Sequence, residues 1–133
     1  MTHRFHTRVY YEDTDLAGIV YHANYLRFIE RARSEMVREA GISQTMLKEE
    51  RGLVFAVRRM EIDFVAPARF EDLLTVTTDF LSLRGARFDL AQTVWRGSAR
   101  LFEASVEVVC MTGEGRAARI PADIRQKLAP NAG

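Results

Sequence analysis

The sequence has one cysteine, three prolines and one tryptophan, and only two of its 19 basic residues are lysines, Lys48 and Lys127. A single thiol, Cys110, excludes an intrachain disulfide, so the fold must hold without covalent staples and suits a reducing compartment. With 3 Pro and 8 Gly in 133 residues, collagen-like and low-complexity chains are excluded too. No run approaches the roughly 18 uninterrupted apolar residues of a membrane helix. The opening Met1-Thr2-His3-Arg4-Phe5-His6-Thr7-Arg8 lacks the apolar core of a secretory signal. Net charge is also missing: 19 Lys and Arg balance 18 Asp and Glu, which gives no electrostatic pull toward nucleic acid or an anionic membrane surface. Any anion must be held by a local cluster, and arginine favours planar, bidentate holding of phosphate or carboxylate. These absences point to a soluble, cytoplasmic protein.

What is present suits a single compact domain over residues 1–133. The chain is 47% hydrophobic and 28% charged, and a chain of this length buries roughly two-thirds of the surface that its unfolded form exposes. Over 25–40 the apolar residues Tyr25, Phe28, Ile29, Ala32, Met36 and Ala40 recur every three or four positions, with Arg27, Glu30, Arg31, Ser34, Arg38 and Glu39 largely between them. This is an amphipathic helix, for which Asn24 offers an N-cap and Gly41 a stop. A shorter helix over 43–50 is closed by Gly52. The period then changes to two. Met60, Ile62 and Phe64 alternate with Arg59, Glu61 and Asp63 in a strand over 54–64 that Pro67 ends. Further strands follow over 74–80 and 87–95, joined by a turn at 82–86, and the pair Gly97-Ser98 turns again. In the last strand Phe102, Ala104, Val106, Val108 and Cys110 share one face, which makes Cys110 a core residue rather than a nucleophile. A first strand over 4–11 brings the number to five. The pattern is an α+β fold, an antiparallel sheet packed on one long helix. One helix cannot cover five strands and both sheet edges, so a dimer or larger closed assembly is expected.

The stretch from Tyr11 to Tyr25 concentrates three acids, Glu12, Asp13 and Asp15, with one His, one Gly and three Tyr just before the helix. His22 stands at the helix entrance, where free N–H groups and the positive end of the macrodipole stabilise developing negative charge. Acyl transfer needs such donors aimed at a carbonyl oxygen and a base or nucleophile nearby, which Asp15 can supply. Each residue also has a plain structural reading: Asp13, Thr14 and Asp15 are common in turns, and Gly18 supplies a positive φ. A lone His beside an Asp lacks the other ligands that a zinc site needs. Arg58-Arg59 and Arg84-x-x-Arg87 read either as solvated charges or as phosphate contacts.

The run Tyr11-x-Asp13-Thr14-Asp15-x-x-Gly18-Ile19-Val20-Tyr21-His22-x-Asn24-Tyr25, followed by the long helix, resembles the signature of the hotdog-fold 4-hydroxybenzoyl-CoA thioesterase family. Within it the likeness is strongest to the Tol-Pal-associated acyl-CoA thioesterases, and it extends to about Thr112 through Phe64-Val65-Ala66-Pro67-Ala68 and the Arg84-Gly85 turn. The resemblance implies a five-stranded antiparallel sheet wrapped around the helix, assembled as dimers and commonly tetramers with active sites at the dimer interface. It implies hydrolysis of acyl-CoA without metal or cofactor. Asp15 matches the family's catalytic Asp, and the His22 N–H matches the donor that polarises the thioester oxygen. The His22 side chain matches the Tol-Pal-associated members, where it is also considered functional, and differs from the usual aromatic residue of the hydroxybenzoyl-specific ones. Tyr11, Gly18, Ile19, Val20 and Tyr21 would meet the substrate, with Phe28 in the acyl pocket. Arg84, with Arg87 and Arg58 behind it, would meet the CoA phosphates. Alternative readings are a thioesterase acting on acyl-acyl carrier protein or on aromatic acyl-CoA, and a non-catalytic acyl-CoA-binding protein, against which Asp15 with His22 argues. A dehydratase is less in keeping with this His and acid arrangement.

Overall fold

The structure, a computed structural model, describes residues 2–130. Strands β1 (Thr2–Arg8), β2 (Leu53–Phe64), β3 (Leu73–Arg84), β4 (Arg87–Arg96) and β5 (Ala99–Thr112) form one sheet in the order β1-β3-β4-β5-β2. Every neighbouring pair is antiparallel. The helices are α1 (Asn24–Glu39), α2 (Gln44–Arg51) and α3 (Ala122–Leu128). This is the α+β arrangement read from the periodicity. Among the described residues no helix is long and apolar enough to cross a membrane.

Alternation puts one face of each central strand against α1. On β4, Phe88, Leu90, Gln92 and Val94 are buried, and on β5, Phe102, Ala104, Val106, Val108 and Cys110 are buried as their spacing predicts. They meet Phe28, Ile29, Ala32 and Val37 of α1. Burial pushes the Cys110 thiol up, which removes it further from nucleophilic chemistry.

Four boundaries differ from the sequence reading. β1 ends at Arg8 rather than near Tyr11, because the Asp13 carboxylate accepts the Tyr10 N–H and folds 11–13 into a single 3-10 turn. β3 runs to Arg84 through a bulge between Phe80 and Ser82, so the turn shrinks to Gly85-Ala86. Gly85, at φ 58°, supplies the left-handed first position that a two-residue hairpin with a primed turn needs. Asn24 is not the cap of α1: Ala23 occupies that place, and Asn24 is the first helical residue. Finally, α3 has no counterpart in the sequence reading. Its Ile124 and Leu128 pack inward, and Arg51 of α2 donates two hydrogen bonds to Asp123 at 2.8 and 2.7 Å.

Candidate active site

Between β1 and α1 the chain makes a small hydrogen-bonded hairpin. Thr14 bridges Val20, Asp15 N–H donates to Ile19 C=O at 2.9 Å, and Gly18 N–H returns to Asp15 C=O at 3.0 Å. Gly18 has φ 78°, as the closing residue of a three-residue hairpin loop requires. Within this loop Asp15 Oδ1 accepts the Ala17 N–H at 2.9 Å. Among the described residues its other oxygen accepts nothing, and the residue is exposed. The result is a carboxylate on a fixed stalk with one oxygen open to solvent.

The hairpin leads directly into α1. Val20 is buried and its N–H donates to Ala68 C=O at 2.9 Å, while Ile19 bridges Arg69, so the loop over 65–72 supports it from behind. Tyr21 N–H donates to Asp13 C=O at 2.9 Å, and Asn24 N–H donates to Tyr21 C=O at 2.8 Å. Among the described residues the His22 and Ala23 N–H groups have no hydrogen-bond acceptor. They stand just ahead of the 16-residue helix α1, at the positive end of its dipole. The His22 ring is exposed, tilted against Tyr21 at 4.5 Å and edge-on to Phe64 at 6.3 Å. Tyr11, also exposed, stands edge-on to Phe70 at 6.2 Å.

An open carboxylate and unpartnered helix N–H groups, both carried by one short segment, can activate water or attack a carbonyl while an oxyanion is held. Among the described residues no three His, Cys, Asp or Glu side chains come together to hold a metal ion. Residues 9–128 match the thioesterase-like superfamily. The chain is 40% identical over 122 residues to the acyl-CoA thioesterase YbgC of Haemophilus influenzae, covering 91% of this chain and 90% of that one. The chain belongs to the thioesterase-like superfamily. This thioesterase is a thioester hydrolase with the hotdog fold, as its resemblance to the 4-hydroxybenzoyl-CoA thioesterase family implies. A probable thioesterase from Bartonella henselae, 44% identical, superposes with a TM-score of 0.86 over 91% of this chain and 100% of that one. The 4-hydroxybenzoyl-CoA thioesterase of Pseudomonas sp. strain CBS-3, 26% identical, superposes at 0.89 over 95% and 98%.

The thioesterase brings Asp15, Gly18, Ile19, Tyr21 and His22 together on one accessible segment, with Tyr11 at its start. Val20 and Phe28 belong to the core, at 3% and 0% exposure, so neither presents its side chain to a ligand on this surface. Arg84 is not part of the cluster. The hairpin is held by Ala68 and Arg69, just before β3, and Arg84 stands at the opposite end of that 12-residue strand, which spans up to roughly 35 Å, where it pairs with Asp89 at 3.5 Å. Arg58 and Arg87 both turn to Glu107, at 2.7 and 3.0 Å. The cavity between α1 and β2, about 250 Å³ and lined by Arg33, Val37, Phe55 and Val57, touches neither Asp15 nor His22. Two residues that look like ordinary punctuation in the sequence are linked across this segment. Asp13 read as a turn residue and Asn24 as a cap, whereas the Asn24 Nδ2–H group donates to Asp13 Oδ1 at 2.7 Å inside the protein. The signal for them is their joint presence in the run that resembles the family signature, on either side of the hairpin.

Proposed function

We propose that this thioesterase hydrolyses acyl-CoA, with Asp15 as base or nucleophile and the N-terminal N–H groups of α1 at His22 polarising the thioester carbonyl. One observation carries the reading: the hairpin holds an open carboxylate oxygen immediately before helix amides that have no acceptor. The relative from Haemophilus influenzae is called an acyl-CoA thioesterase, and its likeness covers the whole of this segment.

In the proposed reaction the carbonyl oxygen accepts from the His22 N–H, which draws electron density from the carbon. Asp15 then either removes a proton from the attacking water or bonds to the carbon itself. The resulting tetrahedral oxyanion rests on the helix N-terminus, where the dipole and the free N–H groups favour it. The C–S bond breaks and CoA leaves as thiolate; a thiol is acidic beside an alcohol, so little protonation of the leaving group is needed. On the nucleophilic route, water cleaves the acyl-aspartate in a second step. The exposed His22 ring orients the water or the carboxylate, and Tyr11, Ile19 and Tyr21 meet the acyl or pantetheine portion.

A CoA nucleotide bound at this Asp15 meets an Arg84 only if a second copy supplies it. The proposed assembly is therefore a closed homo-oligomer, a dimer or a tetramer. Exposed Tyr21, Phe64 and Val65 beside the site, and the unpaired edge of β2, support that reading. The proposed compartment is the cytoplasm, where CoA esters are formed and used.

The test is release of free thiol from short, long and aromatic acyl-CoAs, and from a carrier-bound acyl ester, by wild type and Asp15→Asn in parallel. The amide oxygen can still accept the Ala17 N–H, so the hairpin is kept. A fall in rate on the order of 10²–10⁴ is expected. A folded Asp15→Asn protein as fast as the parent defeats the assignment.

A further inference from the structure

We infer that Asp13 and Asn24 form a buried clamp that positions the catalytic segment, setting where Asp15 stands relative to the His22 N–H. The inference rests on the roles given to those two residues above.

Asp13 and Asn24 are both only 7% exposed. A carboxylate taken out of water is costly unless its oxygens are satisfied. Here Oδ2 accepts the Tyr10 N–H and Oδ1 accepts the Asn24 Nδ2–H group, each at 2.7 Å, the short length of hydrogen bonds to a charged acceptor. Among the described residues Asp13 makes no ion pair. Neutral donors alone hold it.

Where those donors lie is what gives the pair its consequence. Tyr10 precedes the catalytic segment and Asn24 follows it, while the Asp13 C=O accepts the Tyr21 N–H at 2.9 Å. One residue thus grips both ends of 14–23, the stretch that carries Asp15 and His22. The hairpin orders Asp15 internally, but among the described residues only Asp13 ties its start to the first turn of the helix through a side chain.

The choice of residue at the helix start points the same way. If stability of α1 were the only demand, a Ser, Thr, Asp or Asn at the cap would accept one N–H of the first turn. The cap is Ala23 instead, and Asn24 turns its amide away to Asp13. The helix end is thereby fixed from the side, and among the described residues the His22 and Ala23 N–H groups just ahead of it have no acceptor.

The experiment measures kcat and KM for acyl-CoA, with pH profiles, in Asn24→Asp, Asn24→Ala and the exchange Asp13→Asn/Asn24→Asp. A displacement of about 1 Å can cost on the order of 10²-fold in rate. Asn24→Asp sets two carboxylates against each other, so kcat is expected to fall 10- to 100-fold, on the order expected for such a displacement, with little change in KM. Its rate relative to wild type should recover as pH falls and one carboxyl gains a proton to donate. The exchange keeps the Tyr10 N–H bonded to the amide oxygen at position 13 and remakes the side-chain bond with donor and acceptor reversed, so it should return kcat to within a few-fold of wild type, an outcome that general loosening would not produce. Should Asn24→Asp fail to fold, Asn24→Ala decides, with kcat expected down about tenfold, a fraction of the rate cost of a full misplacement, well below its melting temperature. Wild-type kcat in a folded Asn24→Ala or Asn24→Asp protein overturns the clamp, and so does a folded exchange variant that stays as slow as Asn24→Asp. If wild type hydrolyses no ester, the thioesterase reading of Asp15 fails; if Asp15→Asn is inactive while the Asn24 variants keep full kcat, the clamp alone fails.

Discussion

Tyr25 Oη accepts a hydrogen bond from the Ala68 backbone N–H at 2.9 Å, which ties the first turn of α1 to the loop behind the hairpin that carries Asp15. Ala68 passes the support on, because its own C=O accepts the Val20 N–H at 2.9 Å. The Tyr25 ring lies parallel to Phe102 of β5 at a centroid distance of 4.9 Å, so one side chain joins helix, loop and sheet. Burial pushes the phenol's pKa up, and the Ala68 N–H offsets this only in part.

Tyr25→Phe keeps the ring against Phe102 and removes the acceptor. Ala68 is fully buried, so its N–H would be left without a partner. The expected loss is about 1–3 kcal/mol of stability, measured by urea denaturation. A variant as stable as the parent would show that the loop relaxes to find another acceptor.

A second buried polar junction joins α1 to the sheet at Gln92, which is 0% exposed on β4. Its amide donates to Ile29 C=O at 3.0 Å and to Thr78 Oγ1 at 2.9 Å, and its oxygen accepts from Arg33 at 3.0 Å. Burial pulls the Arg33 guanidinium below its usual pKa, so the amide oxygen matters to a cation that is poorly solvated. Gln92→Leu should cost on the order of 3 kcal/mol, since it strands donors and acceptors rather than replacing both sides of each bond. Arg33→Met should cost less in the Gln92→Leu background than in wild type. Simple additivity of the two in a denaturation double-mutant cycle would show that the pair is not coupled.

How far the sequence announced this structure depends on the range of the interaction that decides each feature. α1 was legible because Phe28, Ile29 and Ala32 recur at helical spacing, and all three are fully buried. β4 and β5 were legible for the same reason at period two. α3 was not: it has seven residues and two buried apolar side chains, and its ion pair reaches 72 positions back to Arg51. The distance of Arg84 from the site was hidden because β3 continues through a bulge past Phe80, which local propensity does not reveal. Asp15 and His22 stand out as candidates through the run that resembles the family signature, and their segment folds as one hydrogen-bonded hairpin. Asn24 shows the limit best. Its identity suits a cap, and only the fold reveals that its side chain serves Asp13 instead.

Acid should loosen the attachment of α3 in a definable window. Two hydrogen bonds from Arg51, with its positive charge, hold the Asp123 carboxyl down to about 2 from its ordinary 3.8. A folded-state pKa below the unfolded one means that the unfolded chain takes up the proton first as pH falls. The stabilisation by this pair is therefore complete above about pH 4 and is lost as pH drops toward 2. Asp72 and Glu107 are also held low. For Asp72, burial opposes ionisation, but the Arg69 N–H and Arg96 outweigh it; for Glu107, hydrogen bonding by Arg58 leads. They titrate in every variant that keeps their partners, so the comparison has to be a difference. The stability of wild type minus that of Asp123→Asn, followed by denaturation or by hydrogen exchange of the α3 amides, should be constant from pH 6 to about 4 and shrink toward zero near pH 2. A difference that stays flat to pH 2 would mean that Arg51 and Asp123 touch without contributing, and that Ile124 and Leu128 alone dock the helix.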